Sequence, residues 1–200
     1  MLGSNFLRRG LTRKVNFQIQ RYQGTIGEDE DIARLLTRVF VEEGYTDRSN
    51  AEKMFNPDEL QKRGEIMLAR SPTGDLLGII ICVRPTSPAR QVAEMDEAEM
   101  HLLAVHSTAR GQGIASSLIV ACEQQANALG YFKMVLSTQP TMKVAHRVYE
   151  RMGYRRNSAR DWSKINGKSF FVYEKPIHKK YALIYQTMFE WEALGICKRT

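Results

Sequence analysis

Cysteine, proline, acidic residues near the start and long apolar runs are all scarce in this chain of 200 residues, and each scarcity removes a class of protein. The three cysteines, Cys82, Cys122 and Cys197, are odd in number, far apart and not in metal-ligand spacing. They support neither a disulfide framework nor a metal site, and they point to a reducing, cytoplasmic compartment. No apolar run approaches the roughly 18 residues that cross a bilayer, and no apolar segment precedes a small-residue cleavage site. No membrane partner and no secretion are expected. Acids are absent before Glu28, while Arg8, Arg9, Arg13 and Lys14 stand among Ser, Gly and Leu. Residues 1–14 therefore read as a basic extension, either a frayed terminus or an organelle-import segment. Internal repeats, low-complexity tracts, nucleic-acid motifs and aromatic-basic stacking arrays are all missing, so no nucleic-acid partner is expected.

What remains is a chain with 43% hydrophobic residues, enough for one substantial core and one principal domain. Its charge is uneven. The first hundred residues hold 14 basic and 16 acidic side chains, the second hundred 15 and 6. A basic second half suits a polyanionic ligand.

The period-2 alternation of residues 15–22 predicts a first strand. Acids at Glu28 to Asp31 open an apolar-periodic segment through Phe40 that stops at Gly44, which predicts a helix. More helix is expected within residues 50–62, interrupted near Pro57. Residues 66–70 and 76–83 read as a hairpin around Pro72-Thr73-Gly74-Asp75. A strand over 99–105, a helix over 114–129 stopped by Gly130, a strand over 132–137 and a helix from 144 to 152 follow. Asn166-Gly167 signals a two-residue hairpin turn between 161–165 and 168–175. Residues 177–200 form an amphipathic extension expected to dock on its own domain, at a dimer contact or on a membrane surface, the last opposed by Glu190 and Glu192.

Arg110-Gly111-Gln112-Gly113-Ile114-Ala115, between the strand and the long helix, has the order of a phosphate site. Two glycines let backbone N–H groups turn inward, and the helix adds unsatisfied donors and its positive dipole end. The spacing fits neither the three-glycine dinucleotide fingerprint nor a nucleotide-triphosphate loop.

Three linked motifs carry a resemblance: Ala98-Glu99-Met100-His101-Leu102-Leu103-Ala104-Val105, then Arg110-x-x-Gly113-x-Ala115, then Ala145-x-x-x-Tyr149-x-x-x-Gly153-Tyr154. The chain resembles the GNAT acyl-CoA acetyltransferase superfamily over residues 15–176. The resemblance implies an α/β (α+β) fold, a mixed, mostly antiparallel sheet of six to seven strands flanked by about four helices. It also implies an N-acetyltransferase that uses acetyl-CoA on a primary amine of a small molecule, by direct attack in a ternary complex. A protein lysine or N-terminal amine is the second acceptor class, and a non-catalytic acetyl-CoA sensor is the alternative of another kind.

The resemblance assigns the coenzyme A diphosphate to Arg110, Gly111, Gln112, Gly113, Ile114, Ala115 and Ser116, and the pantetheine arm to the strand at Leu103, Ala104 and Val105. An amide near Val105 is a candidate oxyanion donor. Strand alternation puts Glu99, His101, Leu103 and Val105 on one face. Glu99, His101 or no protein group is the general base. Tyr149 is either the proton donor to the thiolate and a cofactor contact, or a packing residue. The asparagine that often starts the last helix is replaced here by Thr141, Met142 and Lys143, which leaves Lys143 and Arg147 to a phosphate or to the solvated helix surface. The acids Glu94, Asp96, Glu97 and Glu99 are expected to draw a cationic amine to the mouth of the site.

Overall fold

The computed structural model describes residues 15–177. The extensions expected at residues 1–14 and 178–200 lie outside the described residues.

Eight strands and five α-helices form an open mixed sheet with helices on both faces. The strands are β1 (Gln18–Arg21), β2 (Gly64–Arg70), β3 (Leu76–Val83), β4 (Glu97–Val105), β5 (Lys133–Thr138), β6 (Arg155–Arg156), β7 (Trp162–Ser163) and β8 (Ser169–Pro176). Their order is β1-β2-β3-β4-β5-β8-β6, with β7 also paired to β8. Only β4 and β5 run parallel; every other pairing is antiparallel.

The helices are α1 (Ile26–Leu36), α2 (Arg48–Met54), α3 (Pro57–Arg63), α4 (Ile114–Ala128) and α5 (Lys143–Arg151). Thr25 and Glu28 close a reciprocal capping box at the start of α1, which satisfies two end donors. A π-helical turn, Thr37–Val41, continues α1. Pro57 does not kink a single helix; it is the first residue of α3, where its missing N–H costs nothing. That split, and the short β6, account for one helix and one strand beyond the expected numbers.

Two apolar layers sandwich the sheet. One packs Ile114, Leu118, Ile119 and Cys122 of α4 on Ile80, Cys82, Met100 and Met134; the other packs Ile32, Leu35 and Leu36 of α1 on Leu68, Ile79 and Ile81. On α5 the most buried side chains are His146 and Tyr149, with Ala145, Val148 and Met152 packed beside them as expected, whereas Val144 is exposed. His146 Nε2 lies 3.0 Å from the Gln139 carbonyl. The Asn166-Gly167 hairpin has a three-residue loop rather than two. Gly167 N–H bonds the Lys164 carbonyl, Lys164 N–H bonds the Lys168 carbonyl, and Gly167 is left-handed at φ 79°, a type I turn followed by a bulge.

Candidate active site

Two irregularities in β4 build the site. The first is a bulge. Ile79 faces Ala104 while Ile81 faces His101, so Leu102 and Leu103 together oppose one residue of β3. Leu102 takes a left-handed φ of 50°, a conformation that costs a non-glycine residue about 1–3 kcal/mol. The extra residue reverses the side-chain alternation. Glu99 and His101 face the α1 layer beside Val83 and Ile81, while Leu103 and Val105 pack toward α4. The four therefore do not share one face, contrary to simple alternation.

The second irregularity is a split. β4 and β5 pair only from Glu97–Lys133 to Met100–Leu136; beyond that, Ser137 and Thr138 of β5 pair with β8 alone. The edge of residues 101–105 that faces β5 has no strand partner, and a cleft opens there.

A groove of about 520 Å³ runs from this cleft to the start of α4. Its walls include Leu103, Ala104, Val105, Arg110, Gly111, Gly113, Ile114, Ala115 and Ser116, together with Arg147 and Arg151 of α5. Gly111 and Gly113 are left-handed at φ 76° and 85°, and a Cβ at either would meet open space. Their requirement for glycine is thus conformational and not steric. Among the described residues, none of the six consecutive amides from 111 to 116 has an acceptor; the first intrahelical bond is Ser117 N–H to Gly113 O. The first turn of a helix leaves such donors to solvent or to an anion, so this run of free amides is available to one.

The Arg110 side chain spends its donors on protein. It bonds the Val105 carbonyl and pairs with Glu43, bracing the loop. Gln112 does not line the groove; its Oε1 accepts from Val15 N–H at 3.4 Å. Lys143 is exposed and lines neither the groove nor the cavity beside it. The basic side chains of α5 that do line the groove are Arg147 and Arg151.

A smaller chamber of about 250 Å³ adjoins the groove. The two share Phe40, Tyr45, Leu103, Met142 and Ala145. The π-helical turn carries Phe40 to this junction, and Gly44, left-handed, returns the chain so that Tyr45 N–H bonds the Phe40 carbonyl. His101 and Tyr149 both line the chamber.

Glu99 lies behind His101, fully buried. Its Oε2 accepts the amides of Gln91, Val92 and Ala93 at 2.9, 3.1 and 3.2 Å, and its Oε1 is 3.0 Å from His101 Nε2. Burial alone would raise its pKa, but the hydrogen bonds from His101 and the backbone outweigh that and hold the carboxyl below its ordinary range. An ionised carboxylate only accepts, so Nε2 is the donor and the neutral ring carries its lone pair on Nδ1. That Nδ1 is buried and has no partner among the described residues. Glu99 itself lines neither cavity.

Glu97 is also fully buried, held by Arg160 at 2.7 and 2.9 Å, Lys133 at 3.0 Å and the Glu94 amide at 2.9 Å. Burial opposes its ionisation, yet these partners lower its pKa to about 2. Arg160 also bonds the Val92 carbonyl, which ties down the loop whose amides hold Glu99. The acids Glu94 to Glu99 thus do not form a cation-attracting mouth: two are buried and paired, and none lines the chamber. Tyr149 is buried, which pushes its hydroxyl pKa up, and the hydroxyl has no hydrogen-bond partner among the described residues.

Fold and site together define an acyl-transfer architecture, a split sheet with a run of free amides beside a chamber lined by a histidine. The chain belongs to the Acetyltransferase (GNAT) family, whose profile matches residues 30–154, and so to the acyl-CoA-dependent acetyltransferases. No curated protein matches it. Among solved structures it is similar to an acetyltransferase of the GNAT family from Staphylococcus aureus Mu50, with a TM-score of 0.64 at 16% identity, covering 82% of this chain and 100% of that one. It is also similar to an acetyltransferase from Streptococcus agalactiae 2603, with a TM-score of 0.64 at 17% identity over 80% and 98%. An aminoglycoside 6'-N-acetyltransferase complexed with coenzyme A gives a TM-score of 0.58 at 21% identity over 80% and 97%. These similarities show a shared fold. No described helix is long and apolar enough to cross a membrane.

Proposed function

We propose that this protein transfers an acetyl group from acetyl-CoA to a primary amine of a small molecule, by direct attack in a ternary complex, with His101 as general base. The observation that carries the reading is His101 in the wall of the chamber that adjoins the groove, its Nε2 bonded to Glu99 and its buried Nδ1 without a partner among the described residues. The residues present fit acetyl-CoA: free amides and left-handed glycines suit a diphosphate, Arg147 and Arg151 add positive charge, and the unpaired edge of β4 offers backbone groups to an amide-bearing arm. Bound acetyl-CoA supplies an activated acyl carbon.

Within this reading Glu99 is a positioning residue. Four donors fix its carboxylate, which in turn fixes the ring and tautomer of His101. Nδ1 takes the proton as the amine nitrogen forms the new C–N bond and the C–S bond breaks. Tyr149, kept in its phenol form by burial, supplies a hydrogen-bond donor for the departing thiolate, which takes a proton from solvent to end as a thiol while His101 releases its own. Backbone N–H groups of the unpaired β4 edge serve the charge that develops on the carbonyl oxygen.

A thiol-release assay with acetyl-CoA across small amines, spermidine, kanamycin and lysine-containing peptides tests the reading. Amine-dependent release with intersecting initial-velocity lines is the expected result. Tight acetyl-CoA binding without release by any amine overturns catalysis, and release confined to peptides overturns the small-molecule acceptor.

A further inference from the structure

The chamber beside His101 carries an excess of basic side chains. Arg63, Lys164 and Lys168 line it against one carboxylate, Asp47. Asp47 is already occupied: Oδ1 accepts the Asn50 amide at 2.8 Å and caps α2, while Oδ2 takes the Asn50 side chain at 2.5 Å. Arg63 and the two lysines form no ion pair among the described residues.

Arg63 is the most constrained of the three. It ends α3; among the described residues its buried Nε has no partner, and its only side-chain hydrogen bond is a long one, 3.5 Å, to the Met54 carbonyl. Gly64 follows it in extended backbone so close to β3 that a Cβ there would lie 2.1 Å from the Cys82 carbonyl oxygen. Glycine at that position lets β2 start against β3 directly after Arg63. A half-buried guanidinium without a carboxylate is a cost that an anionic ligand would remove. Lys168 hydrogen-bonds the Tyr45 carbonyl, and Lys164 sits 5.7 Å over the Phe170 ring, so the β7–β8 hairpin holds both ammonium groups at the same chamber.

Resting on the acetyltransferase reading above, we infer that the acceptor is an amine that also carries a carboxylate, an amino acid with an apolar or aromatic side chain, held by Arg63, Lys164 and Lys168. The aromatic and thioether lining of Phe40, Met54, Phe55 and Phe170 suits such a side chain. At about 250 Å³ the chamber is below the roughly 300–1,000 Å³ usual for drug-sized ligands, which favours a single amino acid over an oligosaccharide. The excess positive charge repels polycations. The reaction conserves the carboxylate: the amine nitrogen gains the acetyl carbon and loses a proton to His101, the C–S bond breaks, the departing thiolate takes up a proton from solvent to leave as the thiol, and His101 returns its proton to solvent.

The test compares thiol release with L-phenylalanine, L-phenylalanine amide, phenethylamine, spermidine and kanamycin. L-Phenylalanine is expected to exceed phenethylamine at least tenfold in kcat/KM. Arg63→Gln should abolish that preference through KM, with the KM for acetyl-CoA unchanged. The surface pair Lys164→Gln/Lys168→Gln should reduce it severalfold, and it keeps the test decisive if Arg63→Gln does not fold. Calorimetry of N-acetyl-L-phenylalanine on the coenzyme A-loaded protein reads the same site without turnover, and binding should weaken at least tenfold in Arg63→Gln and severalfold in the lysine pair. Equal turnover of the three phenyl compounds, a preference for spermidine or kanamycin, or a carboxylate preference that survives both variants overturns the inference alone. Absence of release with every amine overturns the transferase reading itself.

Discussion

The groove and the chamber meet at Leu103, yet they are built from different material. The donor-bearing wall of the groove is made by backbone: six free amides, two left-handed glycines and a strand edge, all within residues 101–116. The chamber is made by side chains gathered from the π-helical turn, α2, α3, β4, β5, α5 and the β7–β8 hairpin. Backbone cradles recognise what every acyl-CoA has in common and are indifferent to most substitutions. Side-chain chambers encode what distinguishes one acceptor from another, and each residue in them can change alone.

The comparison can be broken at several points. Replacing His101 with Gln removes the proposed base and should lower kcat by about 10²- to 10⁴-fold, the range of general-base catalysis, with acetyl-CoA affinity unchanged in a binding titration. Glu97→Gln strikes the support of the chamber. Breaking a buried pair costs about 3–5 kcal/mol, measurable by denaturant unfolding. The sign with pH follows from the lowered pKa: the stabilisation from Glu97 is complete above the ordinary carboxylate range and is lost as pH falls toward about 2. The unfolding free energy of Glu97→Gln should therefore depend less on pH between about 5 and 2 than that of the native chain.

Gly113→Val acts on the groove. A branched residue at φ 85° costs about 1–3 kcal/mol, and relaxation of the loop would turn the amides away. The KM for acetyl-CoA should rise tenfold or more while kcat at saturation changes little. Glu99→Gln should lower kcat less than loss of His101 does, and should change the shape of the rate–pH profile, because the ring loses its fixed tautomer. The smallest effect is expected for Tyr149→Phe. One hydrogen bond of about 1 kcal/mol is removed, so kcat should fall roughly five- to tenfold in a steady-state assay.

The same division governs what could be read from the sequence. Gly111, Gly113, Gly130 and Gly153 mark turns by local chemistry, and strand and helix periods are local too, so the element order and the groove were legible from short segments. The bulge at Leu102 was not. Nothing in Met100-His101-Leu102-Leu103 signals a left-handed leucine, because the extra residue is fixed by register against β3, a partner about twenty residues upstream. The sequence leaves Glu99, His101 and no protein group open as the base. That Glu99 is held by three amides of the loop at Gln91, Val92 and Ala93 is a contact no periodicity reveals. Arg63 and Lys168 were missed for the same reason: each looks like a solvated cation until distant elements close around it. Lys143 was singled out and Arg151 was not, since the direction in which α5 presents its basic side chains depends on how His146 and Tyr149 dock.

The most direct test of the two-part account is a paired measurement of acetyl-CoA dissociation constant and saturated turnover in His101→Gln and Gly113→Val. The account predicts a crossed outcome: His101→Gln keeps the native dissociation constant and loses at least about a hundredfold in turnover, while Gly113→Val loses affinity and keeps turnover. If both variants lose affinity and turnover together, or if His101→Gln turns over at the native rate, the division between a backbone-built cofactor groove and a His101-centred chamber is wrong.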